Sequence, residues 1–307
     1  TGQGALAQAY PSKPIRVVIP FTAGSGPDLT ARLVAGAMSQ GFGQPVIAEN
    51  RVGAGGRIAA EYVARSAPDG YTLLMGTAST HLVSPHLVKD LPYDPFKNFT
   101  PITIAVSPAT GVVVPASLPV KNMAELVEYA KANPGKIAFA SNGIGSSAHL
   151  VGELIKMATG IDMLHVPFKS TGDAVLEVMS GRGHAMIGAN IAIMPYVADN
   201  RVRILGVTSA QRSKFLPDVP TLAESGLPGY DFDSWLGVLG QAALPREIVD
   251  RVNGEVTKLL KNPEVLDRLA KQGIEPRPMT PEQMNKMLAA DYERMAKVVR
   301  IAGAREE

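Results

Sequence analysis

The sequence predicts an α/β protein built as two lobes around a cleft, each an α/β sheet domain, with two hinge crossings. Three observations carry that prediction. Short apolar strands alternate with segments of helical periodicity. The alternation runs twice, over roughly residues 14–108 and again over roughly 111–208. The chain then ends in helices from Arg246 onward. If they return to the first block, two connections cross between the lobes, and closure needs only a few hinge residues to move. The expected division is residues 10–110 plus 228–307 for lobe 1 and 111–227 for lobe 2.

The elements follow in order. Ile15 to Pro20 reads as a strand, and Pro27 to about Ser39 as a helix with Leu29, Leu33 and Ala37 on one face. Pro45 to Glu49 is a strand, Gly56 to about Ser66 a helix, and Tyr71 to Met75 a strand after the turn Ala67-Pro68-Asp69-Gly70. A proline-rich segment runs from Pro92 to Pro101. In the second block Val112 to Val114, Ile137 to Ala140, Leu164 to Val166, Ala185 to Ile187 and Ile204 to Thr208 read as strands. Helices are expected at Met123 to Ala132, Ser147 to Ala158 and Asp173 to Met179, with a short one at Pro195. The last three helices cover Ile248 to Leu260, Pro263 to Gln272 and Pro281 to Val299.

Composition narrows the function. The 307 residues are 46% hydrophobic and 19% charged with a net charge of +2, enough apolar material for a large core and too little charge for disorder. Lys and Arg are scattered, and aromatics make up 6%, so neither a basic stripe nor a base-stacking platform is present in the sequence. The absence of cysteine removes disulfides, thiolate catalysis and cysteine-ligated metals. Ala7-Gln8-Ala9 matches the A-x-A pattern of a signal-peptidase site, so residues 1–9 read as a leader remnant or tag of an exported protein. No later apolar run reaches the ~20 residues that span a bilayer.

Two loops carry the chemistry. In Ile19 to Leu33 a strand passes through Gly24, Ser25 and Gly26 into a helix. Ser25-Gly26-Pro27-Asp28 fits a capping box, and the free amides of a helix N-terminus attract an anion. The loop alone leaves capping and anion binding open. Lys136 to Ile155 repeats the design, with Ser141, Ser146 and Ser147 adding hydroxyls around Gly143 and Gly145. Ligands of open parallel sheets bind at the carboxyl ends of the strands, so two such loops can face each other across a cleft and hold a molecule with two anionic groups. Gly143 to Ala148 also spells G-x-G-x-x-A, with Asp162 further on. That keeps a dinucleotide-dependent oxidoreductase using Gly143 and Gly145 as the alternative reading. P-loop and nucleophile-elbow motifs are absent from the sequence. His81, His86, His149, His165 and His184 fit no H-E-x-x-H spacing and read as packing or hydrogen-bonding residues. Lys169 follows a strand and reads as a surface lysine, and Trp235 reads as a core anchor or a wall of cleft or hinge. No arginine is obviously aimed at the cleft.

Taken together, six ordered stretches resemble the solute receptors of the tripartite tricarboxylate transporter (TTT) system, often called Bug proteins. They are YPSKPIRVVIPFTAGSGPDLTAR, ENRVGAGGRIAAEYVARSAPDGYTLLMGT, SNGIGSSAHLVGEL, VPFKSTGDAV, RSKFLPDVPTLAESGLPGYDFDSWLG and the helical tail. The resemblance covers nearly the whole chain from Tyr10. It implies a periplasmic Venus-flytrap protein without catalytic residues, cofactor or metal. Such a protein, a monomer, captures a small carboxylate and delivers it to a TTT-type permease. The family's P-F-x-x-G-G-x-x-D-x-x-A-R maps onto Pro20, Phe21, Gly24, Ser25, Asp28, Ala31 and Arg32. Its S-x-G-x-G-S-x-x-H-L maps onto Ser141, Gly143, Gly145, Ser146, His149 and Leu150. The implied ligand-binding residues are Phe21, Thr22, Ala23, Gly24, Ser25 and Asp28 in the first loop. Ser141, Asn142, Gly143, Gly145, Ser146 and Ser147 supply the second. Thr77, Ser79, Phe168, Ala189 and Asn190 complete the set. Ser25 stands where the family has a second glycine, Gly188-Ala189-Asn190 where it has F-D, and Ser170 where a glycine is common.

Overall fold

The computed structural model describes residues 10–144, 146–168, 171–189, 193–227 and 230–302. The expectations for residues 1–9, Gly145, Lys169, Ser170 and Asn190 lie outside the described residues.

Lobe 1 begins with three parallel strands, β1 (Ile15–Ile19), β2 (Val46–Asn50) and β3 (Thr72–Thr77). They are linked by the helices α1 (Gly26–Phe42) and α2 (Arg57–Ala64). The β1 run is apolar on both faces because both are covered: Ile15, Val17 and Ile19 join one core, Val18 another. After β3 a π-helical turn (Ser79–Val83) runs into α3 (Ser84–Leu87). Strand β4 (Phe99–Pro108) then leads to the hinge.

Lobe 2 holds β5 (Thr110–Pro115), α4 (Met123–Ala132), β6 (Ile137–Ser141), α5 (Ser147–Thr159), β7 (Met163–Pro167), α6 (Thr171–Met179), β8 (Ala185–Ala189), α7 (Met194–Ala198) and β9 (Val202–Val207). Its sheet order is β7-β6-β8-β5-β9, parallel around β6 and antiparallel around β5. The chain returns to lobe 1 as β10 (Leu236–Gln241), α8 (Arg246–Leu259), α9 (Pro263–Lys271), β11 (Ile274–Pro276) and α10 (Pro281–Ala302). The first sheet therefore reads β11-β4-β10-β3-β1-β2. The late helices do return: α8 packs on α1 and β4, while α10 packs on β4, the π turn and, across the lobes, α5.

Three strands were not expected. β4 emerges from the proline-rich segment. Pro101 is tolerated because β11 pairs only with Val106 to Pro108, which leaves β4 a partner on one side there, and the β10 register shifts beside it. β10 contains Gly237 and Gly240, which ordinarily weaken a strand. Here a Cβ on Gly237 would sit 2.9 Å from the Thr103 carbonyl oxygen, and one on Gly240 2.4 Å from Leu244 Cδ2. β11 is three residues long and carries too little pattern to read.

The two crossings are tied to each other. Thr208 N–H donates to Thr110 O at 2.9 Å, Phe232 N–H to Thr208 O at 2.9 Å, and Ser107 Oγ–H to Ser234 O at 2.7 Å. Trp235 follows immediately, 1% exposed and near the buried His81 ring at 6.1 Å. Burial pulls His81 down to about 3, so its imidazole is neutral, with Nδ1 on Thr80 Oγ1 at 2.9 Å.

Candidate functional site: the cleft between two glycine–serine loops

The first loop is held from beneath. Gly24 adopts φ +79°, a conformation glycine takes without strain. Its N–H donates to Asp28 Oδ2 at 2.8 Å, while Ser25 Oγ accepts from Asp28 N–H at 3.4 Å as the capping box requires. Asp28 is 1% exposed and accepts further bonds from Asn50 Nδ2 at 2.6 Å and Arg32 Nε at 2.9 Å. Asn50 Nδ2 also donates to Phe21 O at 2.9 Å. Burial opposes the Asp28 charge, but the bonds from Arg32, Asn50 and Gly24 outweigh it and hold the carboxyl below the usual range. Asp28 is thus a brace under the loop, and it lines neither cavity described below.

The second loop has an equivalent brace. Ser141, fully buried at the end of β6, accepts at Oγ from Gly143 N–H at 3.1 Å and bonds His165 Nε2 at 2.7 Å. Its carbonyl accepts from Phe168 N–H at 2.9 Å. His165 is stacked between Phe139 at 4.8 Å and His149 at 4.1 Å. Burial, then the neighbouring His149 and Lys156, pull His165 down to about 4. Ser146 caps α5 by accepting from His149 N–H at 3.2 Å. The next amide, Ser147 N–H, points across the cleft and donates to Ser79 Oγ of lobe 1 at 3.1 Å, and the two hydroxyls lie 2.9 Å apart.

Two adjoining cavities lie between the loops. The larger, about 700 Å³, is lined by Phe21, Thr22 and Ser25 of the first loop and by Asn142, Gly143, Ile144, Pro167, Phe168 and Thr171 of lobe 2. The smaller, about 60 Å³, lies deeper against Thr77, Ser79, Thr110, Ser147, Ser234 and Trp235. Phe21, Asn142 and Thr171 line both and join them. Of the expected residues, Phe21, Thr22, Ser25, Thr77, Ser79, Asn142, Gly143, Ser147 and Phe168 face these cavities. Ala23, Gly24, Asp28, Ser141 and Ser146 do not, and Ala189 pairs with Thr110 in the sheet beside them. Trp235 is both core anchor and cleft wall.

A third loop was missed. Val52 to Gly56, with positive φ at Gly53, Ala54, Gly55 and Gly56, leads into α2 and brings Arg57 to the larger cavity. This corrects the expectation that no arginine faces the cleft. The signal was present: V-G-A-G-G-R is another glycine-rich strand-to-helix turn, at the carboxyl end of β2.

A separate groove of about 410 Å³ follows the crossings near Ala109 and Phe232. Among its charged walls, Arg277 pairs with Asp233 at 3.2 Å and Arg212 with Glu224 at 2.9 Å. The cleft offers inward-facing hydroxyls, the Ser147 amide at a helix N-terminus and a guanidinium, which is the chemistry of anion capture. Ser141 and His165 form a hydroxyl–imidazole pair, but Ser141 is sealed under the loop. No described helix is long and apolar enough to cross a membrane.

Comparison with known proteins shows the family and the fold. Residues 30–303 match the family described as tripartite tricarboxylate transporter family receptor. Protein BugT of Bordetella pertussis is 34% identical over 300 residues, 97% of this chain and 92% of BugT. R. palustris Rpa4515, solved with adipate, superposes with a TM-score of 0.92 at 34% identity, covering 96% of this chain and 99% of that one. MatC (Rpa3494) from Rhodopseudomonas palustris, solved with bound malate, gives 0.89 at 31% identity over 94% and 100%.

Proposed function

The chain belongs to the tripartite tricarboxylate transporter receptor family, and from that footing we propose that it is a periplasmic, non-catalytic receptor for a small di- or tricarboxylate. It captures the ligand between its lobes and delivers it to a TTT-type membrane permease. The observation that carries this reading is the amide of Ser147. It opens a 13-residue helix, points out of lobe 2, and donates to a hydroxyl oxygen of lobe 1, an acceptor that a ligand carboxylate oxygen replaces in this reading. The adipate and malate bound by the two R. palustris proteins support the ligand class. In the proposed site Ser79, Thr77 and Ser147 take one carboxylate, and Phe21 and Phe168 flank the ligand body. Asp28 and Ser141 hold their loops in shape.

Thermal melting with a panel of mono-, di- and tricarboxylates tests capture. A ligand at ~100 times its dissociation constant adds about 2.7 kcal/mol of stability. A panel that leaves the melting temperature unmoved sinks the reading. Uptake by the reconstituted permease tests delivery: it depends on this receptor, and uptake at full rate without it contradicts the proposed role.

A further inference from the structure

Resting on that reading, we infer that Arg57 sets end-group specificity. The ligand is a dicarboxylate whose two carboxylates are separated by an apolar body, with one of them reaching Arg57. The two compartments differ in chemistry. The inner one is small and rich in hydroxyls, with Thr77, Ser79, Thr110, Ser147 and Ser234, and suits one carboxylate. The outer one has apolar walls from Phe21, Val52, Ile144, Pro167 and Phe168. Arg57 is the one ionisable side chain among the described residues that line it.

Arg57 is half-buried, and its charge is felt at Tyr93. Burial pushes the Tyr93 phenol up and Arg57 pulls it back, while Tyr93 Oη–H is anchored on Thr80 O at 2.7 Å. A cation in the wall of an apolar trough favours a second anion over a methyl group. Arg57 also starts α2 directly after the left-handed Gly56, whose place is tight: a Cβ there would lie 2.8 Å from Thr80 Cγ2. The packing of that turn fixes where the arginine leaves the backbone.

The test is isothermal titration of the full chain with matched pairs, adipate against hexanoate and terephthalate against benzoate, with malate as the short diacid. Wild type binds at least one of the two long diacids roughly tenfold or more tighter than its monoacid partner and tighter than malate, the order expected of one charge-assisted contact. Arg57→Gln brings that ratio close to one, and Arg57→Lys keeps part of it. Circular dichroism and melting without ligand show that both variants fold. An unchanged ratio in Arg57→Gln, or malate as the tightest binder, overturns the inference and leaves carboxylate capture standing. No binding of any of the five probes overturns the inference together with the dicarboxylate half of that reading.

Discussion

Asp28→Ala separates a brace from a ligand contact. The carboxylate accepts from Gly24 N–H at 2.8 Å, Asn50 Nδ2 at 2.6 Å and Arg32 Nε at 2.9 Å. Its removal strands one Asn50 proton, at about 1–3 kcal/mol for an unsatisfied buried donor, while the amide of the exposed Gly24 turns to water. Asn50 keeps Phe21 O, and the Arg32 side chain, 43% exposed, rehydrates and adds little. The expected loss is about 1–3 kcal/mol. At about 2–4 °C per kcal/mol for chains somewhat smaller than this one, melting falls by about 2 °C or more. The pH dependence has a definite sign. The Asp28 carboxyl is held below its usual value, so its contribution is full above the ordinary carboxylate value near 3.9. It disappears as pH falls through the depressed value, where wild type and variant converge. Arg32→Gln, which removes only the exposed partner, costs under about 1 kcal/mol. Differential scanning calorimetry at neutral and acid pH reads all of this. Asp28→Ala melting within about 1 °C of wild type at pH 7, with unchanged adipate affinity, refutes the brace.

Three more outcomes follow. Gly152→Ala places a methyl 2.2 Å from Phe139 Cε2 in a fully buried stack and costs about 1–3 kcal/mol; an unmoved urea midpoint would mean the ring has room to shift. His165 drops from 6.5 to about 4 on folding, so unfolding takes up a proton below pH 6.5. Its share of stability is full above about pH 6.5 and declines toward pH 4, and His165→Asn has a shallower decline in urea midpoints over that range; parallel slopes contradict this. Ser79→Ala removes the lobe 1 acceptor of the Ser147 amide. The ligand-free protein then opens, read as a larger radius of gyration by small-angle scattering, and an unchanged radius shows that the contact does not hold the lobes.

The sequence was most legible where local chemistry decides structure. Met123–Ala132 ends where its periodicity and Asn133-Pro134-Gly135 say it does. Ser25 and Ser146 cap α1 and α5 as the loop motifs suggest. The inner parallel strands β1, β3 and β6 show as largely apolar runs because they bury side chains on both faces, while the edge strands β2 and β7 leave Ile47 and Leu164 exposed. Legibility failed where distant packing decides. Gly237 and Gly240 look like strand breakers until Thr103 and Leu244 are seen beside them. Pro101 reads as loop until its one-sided pairing is known. In the site, residue type identified the loops but not which face of each meets the cleft. Gly24 and Asp28 look like donor and partner for a ligand, yet they bind each other. Arg57 went unassigned because periodicity within α2 carries no information about the wall opposite it.

The most direct measurement is a crystal structure of the chain with adipate. Adipate should lie between the lobes, with one carboxylate oxygen about 3 Å from Ser147 N, near the place now taken by Ser79 Oγ. Its chain should run past Phe21 and Phe168 toward Arg57. Adipate held in the groove along the crossings, with the cleft between the glycine–serine loops left open, would contradict the assignment.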